Sequence, residues 1–215
     1  MATLPFEPCS SMCITGQTGA GKTVWLYRLL KQVQHMYREP PAHTLYCYGI
    51  YQPLFDEMER TLPQFTSRQG LPTVEEMDDY TRDRQHKLIV IDDLMHEVVQ
   101  NKDMELLFTQ GTHHRCVSVI LITQNLYPSG KHARTIALNT WYMVLMKNLR
   151  DVSQVSNLGR QLYPGKVKGF MNTYQDALQS KHGYLIVDMS PHGEDKYRLR
   201  TRIFPGEDPI IYRLT

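Results

Sequence analysis

The stretch CITGQTGAGKTVWL, Cys13 to Leu26, decides how the whole chain is read. It sets Gly16, Gly21, Lys22 and Thr23 at the spacing G-x-x-x-x-G-K-T, after a strand-like run that begins at Met12 and before a helix-like one. In that setting the pattern is a phosphate-binding loop. Gly16, Gln17, Thr18, Gly19, Ala20 and Gly21 would wrap backbone N–H groups around phosphate oxygens, aided by the positive end of the following helix. Lys22 would reach the outer phosphates and Thr23 would offer its hydroxyl to Mg²⁺. A bare glycine turn without nucleotide is the competing reading, and the strand-loop-helix order argues against it. ATP and Mg²⁺ are therefore the expected cofactors.

Outward from this loop, short apolar runs recur: TLYCYGI from Thr44, KLIVID from Lys87, VSVILIT from Val117, WYMVLM from Trp141 and YLIV from Tyr184. Near-continuous apolar runs fit strands covered on both faces, as in a parallel sheet. Helical patterns lie between them. Leu26, Leu29, Leu30, Val33 and Tyr37 share one face, and Met104, Leu106 and Leu107 suggest another helix. Later, RDVSQVSNLGRQLY from Arg150 and KGFMNTYQDALQ from Lys168 read as helices divided by Pro164-Gly165. The tail alternates polar and apolar residues from Tyr197 to Ile203, as a C-terminal edge strand or hairpin would. The class is α/β with a mainly parallel central sheet flanked by helices. No repeat or long linker divides residues 1–215, so one domain is expected.

Composition narrows the function classes. The chain has 215 residues, 41% of them hydrophobic, enough for a buried core. Its formal charge of +2 comes from 24 basic and 22 acidic residues, so a grip on nucleic acid would need a local patch. Cys9, Cys13, Cys47 and Cys116 form no CxxC pair, which favours reduced intracellular thiols over disulfides or zinc. No apolar run approaches the ~20 residues of a membrane span, and the N-terminus lacks a signal-peptide pattern. Adjacent His113 and His114 point apart on a helix and do not suit one ion, so metal beyond Mg²⁺ is not expected.

A phosphate-bound Mg²⁺ needs a carboxylate at the end of a buried strand, and KLIVIDDLM supplies Asp92 and Asp93. Asp92 is assigned to the Mg²⁺ shell, through water, and Asp93 to polarising the attacking water as general base. Glu97 is held in reserve, because many motor ATPases carry the longer Glu in the second place. A polar pair, Gln124 and Asn125, ends the next buried run, VSVILITQNLYP. In a parallel sheet all strand C-termini line one crevice, so Gln124 would stand beside the phosphate loop and contact the γ-phosphate or position water.

Taken together, GQTGAGKT, LIVIDD and ILITQN resemble the FtsK/HerA superfamily of DNA-pumping ATPases, in which a glutamine ends the strand between the two Walker strands. The stretch NTWYMVLMKNLRDVSQVSNLGRQLYPG is similar to the genome-packaging ATPases of large DNA viruses and, more closely, of Polinton/Maverick or adintovirus-like elements. The resemblance runs from about Ser11 to Met189. It implies a RecA-like P-loop NTPase fold and ATP hydrolysis that drives double-stranded DNA into a preformed capsid, with capsid proteins as partners. It further implies a homo-oligomeric ring at assembling virions of an infected host cell; no membrane partner is expected, given the lack of a long apolar run. In such rings a neighbour's arginine stabilises the transferred phosphoryl group. Arg150 in KNLRD is the favoured candidate, with Arg115 and Arg160 behind it.

A motor on varied sequence should hold phosphates rather than read bases. The loop YPSGKHARTIA offers Lys131 and Arg134 for DNA, and YPGKVKGF adds Lys166 and Lys168. Two other functions fit the phosphate loop. One is a small nucleoside or nucleotide kinase, which would need an acceptor pocket and an arginine-bearing lid. The other is a slow nucleotide-dependent capsid assembly factor, which the short Asp93 would favour.

Overall fold

Six parallel strands carry the phosphate-loop half of the molecule: β1 (Ser11–Thr15), β2 (His43–Tyr48), β3 (Phe65–Gln69), β4 (Lys87–Asp92), β5 (Val117–Thr123) and β6 (Tyr142–Met146). Three antiparallel strands extend them: β7 (Tyr184–Asp188), β8 (Leu199–Thr201) and β9 (Ile210–Tyr212). All belong to one sheet in the order β3-β2-β4-β5-β1-β6-β7-β8-β9. The computed structural model describes residues 4–111 and 115–214. His113 and His114 therefore lie outside the described residues.

The helices follow the strands in the alternation that the sequence suggests. They are α1 (Lys22–Lys31), α2 (Val33–Met36), α3 (Leu54–Thr61), α4 (Val74–Tyr80), α5 (Met95–Gln100), α6 (Lys102–Leu106), α7 (Ala133–Leu138), α8 (Val152–Leu162) and α9 (Val167–Ala177). The α1 pattern stops earlier than its periodicity implies. Tyr37 is extended and bridges to Phe6 in parallel, so it is not the last residue of that helical face.

Strand β4 explains why the sheet is buried on both faces. Leu88, Ile89, Val90 and Ile91 are all fully buried, and each such side chain contributes roughly 1.5–3 kcal/mol relative to exposure. Alternate residues point to opposite faces. Leu88 and Val90 join Ile14, Leu26 and Leu29 in one core, while Ile89 and Ile91 join Val98, Leu107 and Leu121 in another. A third core packs α8 and α9 over β6 and β7 through Leu145, Val155, Leu158, Phe170 and Leu185.

The cysteine expectation is corrected. Cys9 and Cys116 form a disulfide, while Cys13 and Cys47 are free and buried. The reason is topological: β1 and β5 are parallel neighbours, so the residues just before them meet, with Cα atoms 4.8 Å apart across 107 positions of sequence. That distance lies in the range a disulfide spans. No sequence spacing could reveal it.

Candidate functional site

The site forms where β1, β4 and β5 end on one edge of the sheet. Strand β5 lies between β4 and β1, so the loops after all three meet. Their residues line a cavity of about 730 Å³ that brings together Thr18, Gly19, Gly21, Lys22, Thr23, Asp92, Asp93 and Gln124. The remaining loop residues support it from behind. Gly16 packs where a Cβ would come within 2.9 Å of the Met146 Cβ, and the Ala20 side chain is buried. Gln17 ties the loop to the segment after β6: its N–H donates to the Lys147 carbonyl at 3.0 Å, and its side-chain oxygen accepts from Leu149 N–H at 2.9 Å.

Gly21 carries φ of 98° directly before α1, a conformation that glycine reaches without a Cβ penalty. This turn opens α1 at the cavity that Gly21, Lys22 and Thr23 line, and the free N–H groups of a helix's first turn favour anions. Lys22 Nζ donates to the carbonyls of Gly16 at 2.7 Å and Gln17 at 3.1 Å. Burial pulls the Lys22 pKa below its ordinary value, and the nearby Asp92 and Asp93 carboxylates oppose that shift.

The two acids have different settings. Asp92, the last residue of β4, is buried, and that burial raises its pKa; a hydrogen bond from Tyr46 and the Lys22 charge pull it back. Asp93 is exposed, lines the cavity and has a left-handed backbone with φ of 58°, which aspartate tolerates better than most residues. Gly49 makes room for that turn, since a Cβ there would lie 2.6 Å from the Asp93 carbonyl oxygen. Glu97 is exposed on α5 and does not line the cavity.

Strand β5 ends at Thr123, where the apolar run VSVILIT ends, so Gln124 and Asn125 stand just beyond it. Gln124 Oε1 accepts a hydrogen bond from Thr18 Oγ1 of the phosphate loop at 3.0 Å. Thr123 Oγ1 fixes the exit from the strand by accepting from Asn125 N–H at 3.1 Å.

Thr23 and Asp92 present a hydroxyl and a carboxylate to the same cavity. This oxygen set fits Mg²⁺, which takes few protein ligands and shares its shell with phosphate oxygens and water. Among the described residues no group of three His, Cys, Asp or Glu side chains forms an all-protein metal cage.

The arginines stand apart from the cavity. Arg150 is exposed next to the Gln17-Leu149 contact. Arg115 pairs with Asp78 at 2.7 Å and precedes β5, at the opposite end of that strand from the site. Arg160 donates to Asn157 on α8 at 2.9 Å. Lys131 and Arg134 are exposed on the segment that continues from Pro128 and Ser129 at the cavity wall, and His132 anchors it through Glu105 at 2.7 Å. Lys166 binds the Leu214 carbonyl at 3.1 Å, and Lys168 is exposed on α9.

Sequence reading missed Tyr46, Gln52, His96 and His182. The last three line the cavity, and His182 reaches it from the turn before β7. Its Nδ1 lies 3.4 Å from the Ala20 carbonyl oxygen, over Gly21. No local pattern marks a residue 162 positions from the loop residue it touches.

Fold and site together define a P-loop NTPase with a RecA-like, mainly parallel sheet. The chain belongs to the AAA domain family, whose model matches residues 7–127. No curated protein matches the sequence significantly. Among solved structures, the genome packaging NTPase B204 from Sulfolobus turreted icosahedral virus 2, in complex with ATP-gammaS, is similar at a TM-score of 0.55 and 10% identity, over 95% of this chain and 96% of that one. EssC (ATPases 2 and 3) from Geobacillus thermodenitrificans is similar at a TM-score of 0.57 and 14% identity, over 93% of this chain. The match spans only 41% of that EssC chain. At such identities the likeness concerns the fold alone.

Proposed function

We propose that the protein is an ATP-hydrolysing motor that moves double-stranded viral DNA into a preformed capsid. In this reading residues 1–215 form one ATPase domain, identical subunits assemble into a ring, and the ring contacts capsid proteins at assembling virions in the infected host cell. The observation that carries it is the position of Gln124, just past the end of the strand between the two phosphate-site strands and in hydrogen-bond contact with Thr18. A glutamine held there can register whether the terminal phosphate is present and pass that state along β5. The fold it shares with the packaging NTPase B204, which binds ATP-gammaS, supports the same reading.

The residues divide the work as follows. The loop N–H groups and Lys22 hold the phosphates, with Thr23 and Asp92 as the Mg²⁺ side of the site. When bound, Mg²⁺ neutralises charge that develops on the phosphate oxygens. Asp93 accepts a proton from the attacking water while Gln124 orients it. Among the described residues lining the cavity there is no arginine, so the transition-state charge facing Lys22 calls for a cation from elsewhere. Arg150 of a neighbouring subunit is assigned that role. Lys131 and Arg134 hold DNA phosphates on a segment that starts at the cavity wall.

The same lack of a lining arginine counts against a nucleoside or nucleotide kinase, whose lid would bring one over the phosphates. A slow nucleotide-dependent assembly factor keeps one supporting feature, the short side chain of Asp93 where a longer Glu would reach further. ATP turnover with and without linear duplex DNA, beside the Lys22→Ala variant, tests the proposal. Stimulation by DNA that Lys22→Ala abolishes is expected. Stimulation by a small phosphate acceptor but not by DNA would reject the motor.

A further inference from the structure

The hydroxyl of Tyr46 is out of place for a core residue. Tyr46 lies in the middle of β2, fully buried, with its ring against Phe55 at 4.9 Å and Phe65 at 6.0 Å between centroids. A phenylalanine would fill that space equally well. The phenol instead donates a 2.6 Å hydrogen bond to Asp92 Oδ2, and among the described residues it has no other partner. Asp92 in turn accepts no other side-chain hydrogen bond among the described residues.

The register explains how the two meet. Strands β2 and β4 pair in parallel with Tyr46 opposite Val90 and Tyr48 opposite Asp92. Leu88, Val90 and Asp92 alternate onto one face of β4, and Tyr46 shares a core with Leu88, Val90 and the α1 residues Leu26 and Leu29. Asp92 thus points toward the side of the sheet that carries α1 and the phosphate loop. A buried carboxylate with a single fixed bond has one oxygen held and one left to face Thr23 across the cavity.

We infer that Tyr46 is a positioning residue for the metal side of the nucleotide site: its phenol clamps Asp92 Oδ2 and so presents the other oxygen to the Mg²⁺ shell. The inference rests on the nucleotide-site reading given above. Partners that orient metal-binding groups from behind commonly govern metal affinity by 10–100-fold. Tyr46 touches neither nucleotide nor metal, so its effect is confined to how well Asp92 is aimed. A purely structural tyrosine would alter folding without separating metal-dependent from metal-free binding.

The test measures binding of a fluorescent ADP analogue to the full chain, without divalent ions and through a Mg²⁺ titration, for the wild type and Tyr46→Phe. Tyr46→Phe should leave metal-free binding unchanged and weaken the apparent Mg²⁺ affinity about 10-fold. Adding Tyr46→Phe to Asp92→Asn should cause no further loss. That double variant also covers the case in which Tyr46→Phe alone fails to fold, because it removes the carboxylate left without its partner. Equal Mg²⁺ response in wild type and Tyr46→Phe overturns the role of Tyr46 while leaving the nucleotide site intact. So does a further loss in the Asp92→Asn background. A wild type whose nucleotide binding ignores Mg²⁺ overturns the nucleotide-site reading itself, and the Tyr46 inference with it.

Discussion

Substituting Gly21 by alanine should destabilise the protein by an amount that the turn before α1 allows to be worked out. With φ of 98° the residue lies beyond the narrow left-handed region open to other L-residues, so alanine there costs at least roughly 1–2 kcal/mol. A Cβ would also lie 2.3 Å from His182 Nδ1 and 2.8 Å from His182 Cγ. The imidazole must swing off its rotamer, which adds about 0.5–1.5 kcal/mol. At about 2–4 °C per kcal/mol for a chain of this size, the combined cost corresponds to a melting point roughly 3–14 °C lower. A thermal melt followed by circular dichroism measures it. Placing His182→Gly beside Gly21→Ala should recover the part due to the ring and leave the backbone part. A Gly21→Ala variant that melts with the wild type would refute the reasoning, since neither strain nor collision would then exist.

Other expectations follow from equally local features. Burial lowers the pKa of His86, whose nitrogens lie 2.6 Å from the Glu39 carbonyl oxygen and 2.8 Å from Ser118 Oγ. The unfolded chain therefore binds more protons than the folded one below about pH 6.5, so stability should fall as the pH drops through that value and His86→Gln should flatten the fall. His43, also lowered chiefly by burial, leaves a residual slope in the same window. Thiol titration of the unfolded, unreduced chain should count two thiols, rising to four after reduction; four before reduction would deny the Cys9–Cys116 bond. Replacing Lys131 and Arg134 together by alanine should lower the slope of log DNA affinity against log salt by about 2, and an unchanged slope would remove that loop from the DNA surface.

How far the sequence reveals this molecule depends on the range of each interaction. The β4 run KLIVID is legible because four successive apolar residues are buried whichever strands lie beside it. The phosphate loop is legible because its spacing is fixed by backbone geometry within eight residues. Strand β3, FTSRQ, is not, because an edge strand with only Phe65 buried carries no apolar run. Helices α3 and α4 are hidden among charged residues such as Asp56, Glu57 and Glu75, although Thr73 and Glu76 form a capping box that announces α4.

In the site, Lys22, Thr23, Asp92, Asp93 and Gln124 are readable because each ends a strand or opens a helix, where the crevice must form. Tyr46 and His182 are not, since both reach the site across the fold. Tyr46 reads as a core aromatic until its hydroxyl is seen against Asp92. The Cys9–Cys116 pair misleads for the same reason, because only the adjacency of β1 and β5 brings the two together.

Displacement of a third strand from linear duplex DNA tests the central claim most directly, because it reads movement rather than turnover. The account predicts ATP-dependent displacement that disappears with a non-hydrolysable analogue and in the Lys22→Ala variant. ATP turnover on the same duplex with the third strand left in place would contradict it.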